Sequence, residues 1–252
     1  MHINGATALV TGTNRGLGLH LAKELLLRGA KVYATARRPE LIDIPGAVVL
    51  PLDITDQTSV DAVAAQAGDV DIVINNAAFT DGGNLVTGEI GAIREVMESN
   101  YFGTLAVIRA FAPILARNGG GAILNVLSAA AWSTVDGNTS YAAAKSAEWG
   151  LTNGVRVELA PQGTLVSALV PGMIATQTMR DYAEAAGITL ADGVMQEPAD
   201  LAKLALDGLE AGHLEILDAI GADAKSALSG PPRAFDLAAY AVAEDIGATR
   251  QD

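Results

Sequence analysis

The sequence predicts an α/β fold: a doubly wound parallel sheet of about seven strands with helices on both faces, built as a single domain. Three observations carry this. Short runs of β-branched and apolar residues recur along the chain, amphipathic or alanine-rich stretches alternate with them, and the first run leads through a set of glycines into a helix. Strands that are apolar throughout, rather than on alternate residues, belong to a sheet covered on both faces. A helix between successive strands makes their pairing parallel.

The elements follow in order. "TALV" at 7–10 reads as the first strand and the leucine-rich 17–28 as its helix. "KVYAT" at 31–35 and "VVL" at 48–50 are the next strands, followed by a helix at 59–66. "DIVI" at 71–74 precedes a long helix at 92–117, and "AILNV" at 122–126 precedes another at 141–160. "LVSALV" at 165–170, a helix at 198–210 and a last strand at 214–217 complete the alternation. Two stretches, 78–89 and 172–197, are expected to be irregular, and a connection as long as the second reads as a substrate loop or lid. No linker composition or internal repeat divides the chain, so one domain spans 1–252.

Composition excludes several classes. The chain has 252 residues, half of them apolar and 18% charged, and a formal net charge of −13. An acidic balance of that size lacks the basic stripe that phosphate backbones require, so no nucleic acid and no anionic membrane surface is expected as a partner. Cysteine is absent, which removes disulfides, thiolate metal sites and thiol catalysis. His2, His20 and His213 are far apart, so no metal site is expected. There is no GxSxG motif of a hydrolase nucleophile. "MHINGATALV" has neither a basic leader nor a long apolar run, and no segment has the roughly 18 apolar residues of a membrane span; a cytoplasmic protein is expected.

The stretch "TALVTGTNRGLGLHLAKELLLRGA" places Gly12, Gly16 and Gly18 between a strand and a helix. Glycines there let backbone amides approach a pyrophosphate at a helix N-terminus, where the helix dipole favours negative charge, and this gives the fold its Rossmann-type reading. The end of the second strand discriminates between dinucleotides. An acid there bonds the ribose 2′-hydroxyl of NAD, whereas a 2′-phosphate calls for arginine. Here the positions are Ala36, Arg37 and Arg38, with Arg15 in the glycine loop, so NADPH/NADP+ is expected, with NADH the weaker alternative. Asp53, after the third strand, fits an acceptor for the adenine amine and equally the flank of the next helix.

"SYAAAKSAEWG" sets Tyr141 and Lys145 four residues apart, on one face of a helix. A free phenol titrates near 10. An ammonium about 4 Å away at an effective dielectric of ~20 favours the phenolate by ~4 kcal/mol, roughly three pKa units. That brings a phenol into the working range of a general acid. An ordinary Tyr–Lys pair on a solvated helix face satisfies the same spacing.

The pair does not stand alone. Ser128 lies thirteen residues before Tyr141, at the end of "AILNVLS", and "DIVINNAA" and "VMESNYFG" lie upstream. Together these residues resemble the short-chain dehydrogenase/reductase family, over nearly the whole chain: TGxxxGxG at 11–18, NNAA at 75–78, Asn100, Ser128, Tyr141 with Lys145, and Pro171–Gly172. The resemblance implies that Tyr141 donates a proton to a carbonyl oxygen, that Lys145 bonds the nicotinamide ribose and lowers the tyrosine pKa, that Ser128 orients the carbonyl, and that Asn100 holds a water joining Lys145 to solvent. It implies a cofactor site made by the glycine loop (Gly12, Thr13, Asn14, Arg15, Gly16, Leu17 and Gly18), then Arg37, Asp53 and Ile54. Asn75 and Ala77 would lie near the adenosine and its ribose. Pro171, Ile174 and Thr176 would face the nicotinamide. It also implies a homodimer or homotetramer, with the small residues Ala142, Ala143, Ala144 and Ala147 allowing close packing.

The reading is an NADPH-dependent carbonyl reductase acting on a small, largely apolar ketone or aldehyde. Ala129, Ala130, Ala131, Trp132 and Val135, with Met173, Ile174, Met179 and Tyr182, are expected to wall an apolar chamber, with Arg180 and Asp181 at its rim; Trp132 and Met173 read equally as core residues. An NAD(P)-dependent alcohol dehydrogenase working oxidatively is the alternative within enzymes. A non-catalytic dinucleotide sensor on the same fold is the alternative outside them, and the retained Ser128, Tyr141 and Lys145 argue against it.

Overall fold

The computed structural model describes residues 1–185, 187–191, 193–230, 234–235 and 237–241. Seven strands form the main sheet: β1 (Thr7–Thr11), β2 (Lys31–Ala36), β3 (Val48–Pro51), β4 (Ile72–Asn75), β5 (Ala122–Val126), β7 (Leu165–Val170) and β8 (Glu215–Leu217). Their order is β3-β2-β1-β4-β5-β7-β8, and every pairing is parallel. β6 (Thr134–Val135) pairs instead with β9 (Ala234–Phe235) in a separate two-stranded sheet. The order reverses between β1 and β4, and such a switch point opens a crevice at the carboxyl ends of the strands.

Helices cover both faces, as the continuous apolar runs predict. On one face α1 (Gly16–Leu27) buries Leu17, Leu21 and Leu25, four residues apart, against Leu201 and Leu206 of α7 (Pro198–Glu210) and the inward residues of β1, β2 and β4. On the other face α2 (Gln57–Gln66), α4 (Thr104–Arg117) and α5 (Thr139–Leu159) pack Val60, Val107, Phe111 and Val155 over Leu9, Val73, Ile123 and Val166. Among the described residues, no helix is long and apolar enough to cross a membrane.

The expected helix at 92–117 is not continuous. α3 (Ile90–Met97) passes into a π-helical turn at Glu98–Gly103 before α4 begins. The cause is local. The fully buried Asn100 donates its side-chain amide to Val96 O at 2.9 Å and to Phe79 O at 2.6 Å, so it competes with the helical ladder. Gly103 meanwhile faces Ile54, whose Cγ1 would lie 2.8 Å from any Cβ there.

Two further helices lie outside the regular strand–helix alternation, the first at the helical piece "TQTMRDYAEAAG" of 172–197. α6 (Gln177–Ala185) sits inside the stretch expected to be irregular, and α8 (Ala219–Ser226) follows β8. The Asp218 carboxylate caps α8 through Gly221 N at 2.7 Å and accepts from Gly172 N, also at 2.7 Å, fixing the exit of β7. The far end of the 172–197 segment is pinned by a bridge from Ile174 to Gln196.

α1 starts so close to β1 that a Cβ on Gly18 would collide with the carbonyl oxygen of Gly12 and the amide of Asn76. Both neighbours are held, since Asn76 Nδ2 bonds Thr11 O at 2.9 Å and Gly12 O at 3.1 Å. Gly18→Ala is therefore expected to destabilise the fold by about 1–3 kcal/mol, read as a lowered thermal midpoint, because backbone rather than a movable side chain must give way. An unchanged midpoint would show that the loop yields without strain.

Candidate active site

The glycine loop is shaped by backbone demands. Gly12 (φ 72°) and Gly16 (φ 58°) take left-handed conformations that side-chain-bearing residues rarely adopt. The loop is tied to its neighbours: Gly12 N and Thr13 N donate to Thr35 O at 2.8 and 3.0 Å, and Thr11 Oγ1 accepts from Asn76 N and Ala77 N, both at 2.9 Å. Arg15 precedes α1 in an extended conformation and offers no side-chain cap, so the first amides of α1 lack a side-chain acceptor at the N-cap.

A cleft of about 980 Å³ opens at the switch point, over the carboxyl ends of β1 to β4. Gly12, Asn14, Arg15 and Gly16 line it from the loop, Arg37 from the end of β2, Asp53 and Ile54 from beyond β3, Ala77 from beyond β4 and Thr176 from the 172–197 segment. Thr176 reaches over the loop, its methyl lying 3.7 Å from where a Cβ of Gly16 would be. Arg15, Arg37 and Arg38 are exposed, and among the described residues none of them forms an ion pair. Asp53 is engaged with its own turn, its Oδ1 accepting from Thr55 N at 3.0 Å and Thr55 Oγ1 at 2.8 Å. The residue that caps α2 is Asp56.

Other expected cofactor residues lie elsewhere. Thr13 is buried with its hydroxyl on Thr35 O at 3.3 Å, and Leu17 belongs to the core under α1. Asn75 does not wall the cleft. It continues the face of Val73 on β4, is 3% exposed and donates to Asn125 Oδ1 at 2.8 Å, because side chains alternate along a strand. Asn76, the second asparagine of the pair, turns to the cleft instead, and the same alternation could have assigned it. Pro171 and Met173 are buried, and Ile174 packs against the α1–α7 core.

A second group gathers where β5, α5 and the π-helical turn meet. Ser128 follows β5 and caps the 3₁₀ turn Ala129–Ala131, its Oγ accepting from Ala130 N at 3.1 Å. Ala129 N bonds Pro171 O at 2.8 Å, joining the ends of β5 and β7. Ser146 Oγ donates to Ala131 O at 2.8 Å and so ties α5 to this turn. Ala142 and Ala144 are buried on the inner side of α5, whereas Ala143 faces out. Tyr141, half-buried, and Lys145, buried, lie on one side of α5, with Lys145 Nζ 5.8 Å from the centre of the phenol ring.

Lys145 Nζ donates to Val126 O at 2.9 Å and to Glu148 Oε2 at 2.6 Å. Lys145 and Glu148 are each 2% exposed. Burial works against the ammonium, but the charge of Glu148, then of Tyr141, outweighs it and holds Lys145 above the ordinary lysine range. Burial pushes the Glu148 carboxyl above the ordinary carboxylate range, against the pull of Lys145 and of the Thr104 hydroxyl at 3.2 Å. From this pair a polar ladder crosses under the site. Thr152 Oγ1 donates to Glu148 O at 2.8 Å and accepts from Asn125 Nδ2 at 2.9 Å, and Asn125 accepts from Asn75. Glu148 is a site residue that the motif reading missed; its signal was an acid three positions after Lys145, on the same helix face.

Of the residues expected to wall an apolar chamber, Trp132 is partly buried. Trp132 turns to Trp149, edge to face with ring centres 5.9 Å apart, under the ammonium of Lys225, and so packs against the cluster around Leu127 and Val170. The side chains of Val135 and Tyr182 lie outside the described part of the structure. Arg180 is exposed and pairs with Glu197 at 3.5 Å.

Known proteins share this fold. A short chain dehydrogenase from Burkholderia cenocepacia in complex with NADP superposes with a TM-score of 0.83 at 36% identity, covering 91% of this chain and 95% of that one. A short-chain dehydrogenase from Streptomyces avermitilis superposes with a TM-score of 0.77 at 29% identity, covering 90% and 92%. The 3-oxoacyl-[acyl-carrier-protein] reductase of Escherichia coli is 32% identical over 190 residues, 71% of this chain and 78% of its own. A dehydrogenase/reductase family protein 7-like of Anopheles gambiae is 30% identical, but the match spans only 61% of that protein. The family model for short chain dehydrogenases matches residues 6–187, from the start of the sheet through Ser128, Tyr141 and Lys145 into α6, and the chain belongs to that family of oxidoreductases.

Proposed function

We propose that the protein is an NADPH-dependent carbonyl reductase acting on a small, largely apolar ketone or aldehyde. The observation that carries this is the placement of Tyr141 beside the buried Lys145 ammonium, on the helix that packs against the turn capped by Ser128.

The cleft suits a dinucleotide. It lies at the switch point, has the volume of a ligand site, and is lined by Gly12 and Gly16 at the uncapped start of α1, where no side chain fills it. The phosphates would lie along Gly12–Gly18, the adenine against Asp53 and Ile54, and a 2′-phosphate against Arg15 and Arg37. NADPH, when bound, supplies the hydride. The neighbour from Burkholderia cenocepacia, described as a complex with NADP, supports this choice. Thr176, reaching over the glycine loop, supports a lid reading for 172–197.

Tyr141 gives its phenolic proton to the carbonyl oxygen as the carbonyl carbon accepts hydride, and then regains a proton from solvent. Ser128 hydrogen-bonds and polarises that carbonyl. Lys145 stabilises the phenolate left behind, and Asn100 shapes the π-helical turn beside it. Within 129–135 and 173–182 the only cationic residue is Arg180, and Glu197 already pairs it, so a carboxylate on the substrate finds no free partner there. The Escherichia coli relative favours a second reading, in which the ketone is carried on a longer acyl chain. A homodimer or homotetramer is the proposed assembly, supported by the exposed Phe102 on the π-helical turn and Val157 on α5.

Nicotinamide absorbance decides these points. The unmodified protein is expected to use NADPH far more efficiently than NADH, and Arg37→Asp to narrow or reverse the preference; equal use of both by the unmodified protein contradicts the assignment. Tyr141→Phe is expected to lose roughly 10²–10⁴-fold in turnover of a neutral ketone while NADPH affinity stays within a few-fold, as removal of a general acid does. Near-normal turnover, or a keto acid reduced better than its neutral analogue, would place the chemistry or the substrate class elsewhere.

A further inference from the structure

Among the described residues the buried acids are Asp218, which caps α8, and Glu148. The proton-transfer scheme above has no use for Glu148. Yet its Oε2 accepts from Lys145 Nζ at 2.6 Å and its Oε1 lies 3.2 Å from Thr104 Oγ1, so one oxygen is held by the ammonium and the other by a hydroxyl. The ammonium that acts on Tyr141 is therefore one end of a buried, neutral ion pair.

We propose that Glu148 is a positioning residue for proton transfer: as counter-ion to Lys145 it offsets the ammonium's field at Tyr141, favours the phenol over the phenolate, and so sets the site for carbonyl reduction over alcohol oxidation. Reduction needs the phenol as proton donor, whereas oxidation needs the phenolate to take the alcohol's proton. The ammonium, 5.8 Å from the ring centre, favours the phenolate, and the carboxylate 2.6 Å behind it removes part of that pull. The proposal requires that Lys145 keep its proton when Glu148 is neutralised, with Val126 O still accepting from it.

Other charges are poorly placed to set this balance. The elements packed on α5 carry Arg94 and Glu95 on α3, Glu98 and Tyr101 on the π-helical turn, and Arg109 and Arg117 on α4. All of these except Tyr101 are exposed and screened by water, and the Tyr101 ring packs against Phe102. The strands and short turns against α5 (β6, β7, Ala129–Ala131 and Ala160–Gln162) carry no ionisable side chain. Lys145 and Glu148 act mainly on each other, with Tyr141 and Thr104 as their remaining side-chain partners.

The inference rests on Tyr141 as the proton donor, so its first test needs no turnover. Phenolate absorbance of the unliganded protein is followed against pH, and the Tyr141→Phe titration is subtracted to isolate Tyr141. Glu148→Gln is expected to move that titration down by about one pH unit, and Glu148→Asp, which keeps the charge, to stay near the unmodified protein. In the loaded enzyme the high-pH limb of ketone reduction should move down by the same interval, raising oxidation relative to reduction roughly tenfold at neutral pH. If Glu148→Gln does not fold, Glu148→Met reads the same quantity. An unchanged titration means that Glu148 serves only packing, and an upward shift means that Lys145 loses its proton without Glu148; either overturns the proposal. Absence of ketone reduction alongside the predicted downward shift would instead count against the carbonyl-reductase reading alone.

Discussion

Lys145 carries a charge that the fold has withdrawn from water, and the geometry of the site follows from what that charge requires. An unpaired ammonium at 2% exposure is penalised by several kcal/mol, so the surroundings must supply acceptors. They do so from two elements: the last carbonyl of β5 at Val126 and a carboxylate one helical turn along α5. Meeting both fixes how α5 lies on the sheet. That in turn sets Tyr141 beside the ammonium and brings the start of α5 against the turn that Ser128 caps. The Thr104–Glu148 bond extends the constraint to α4, just beyond the π-helical turn that Asn100 opens.

The cleft answers to a different constraint, that of close backbone approach. The reversal of strand order between β1 and β4 makes a crevice whichever residues fill it. What makes it a narrow, amide-lined site is that Gly12, Gly16 and Gly18 let α1 start almost in contact with β1, with Asn76 bonded across the gap. The two constraints meet through β4 and β5, where Asn75 and Asn125 pair in register beneath the cleft and lead on to Thr152 and Glu148. A polar ladder of this kind, buried in an otherwise apolar layer, restricts the strands and α5 to one relative placement, since any slip strands its donors.

Much of this was legible in the sequence because it rests on short-range rules. Apolar strands alternating with amphipathic helices gave the parallel sheet, and all seven strands of the main sheet lie within a residue or so of the expected runs. The glycine loop and the YxxxK spacing pointed to the edge of the cleft and to the Tyr141–Lys145 pair. What was not legible depends on contacts between distant segments. The π-helical turn follows from Asn100 reaching Phe79 and from Gly103 meeting Ile54, neither of which helical periodicity reveals. Trp132 read as a chamber wall because it follows Ser128, and contacts with Trp149 and Lys225 hold it against the cluster around Leu127. Asn75 and Asn76 are neighbours of the same type, and only the pleat of β4 separates their roles. Glu148 was passed over because the motif ends at Lys145, although its spacing placed it on the right face.

The central claim is that the Lys145 ammonium is buried, charged and held by Glu148 beside Tyr141. Nitrogen-15 NMR of the lysine side chains in the unliganded protein tests it most directly, with the Lys145 signal identified by its loss in Lys145→Met. The account predicts an ammonium signal that persists through neutral pH and titrates, if at all, above the ordinary lysine value of about 10.4. A Lys145 signal of a neutral amine at neutral pH would contradict it.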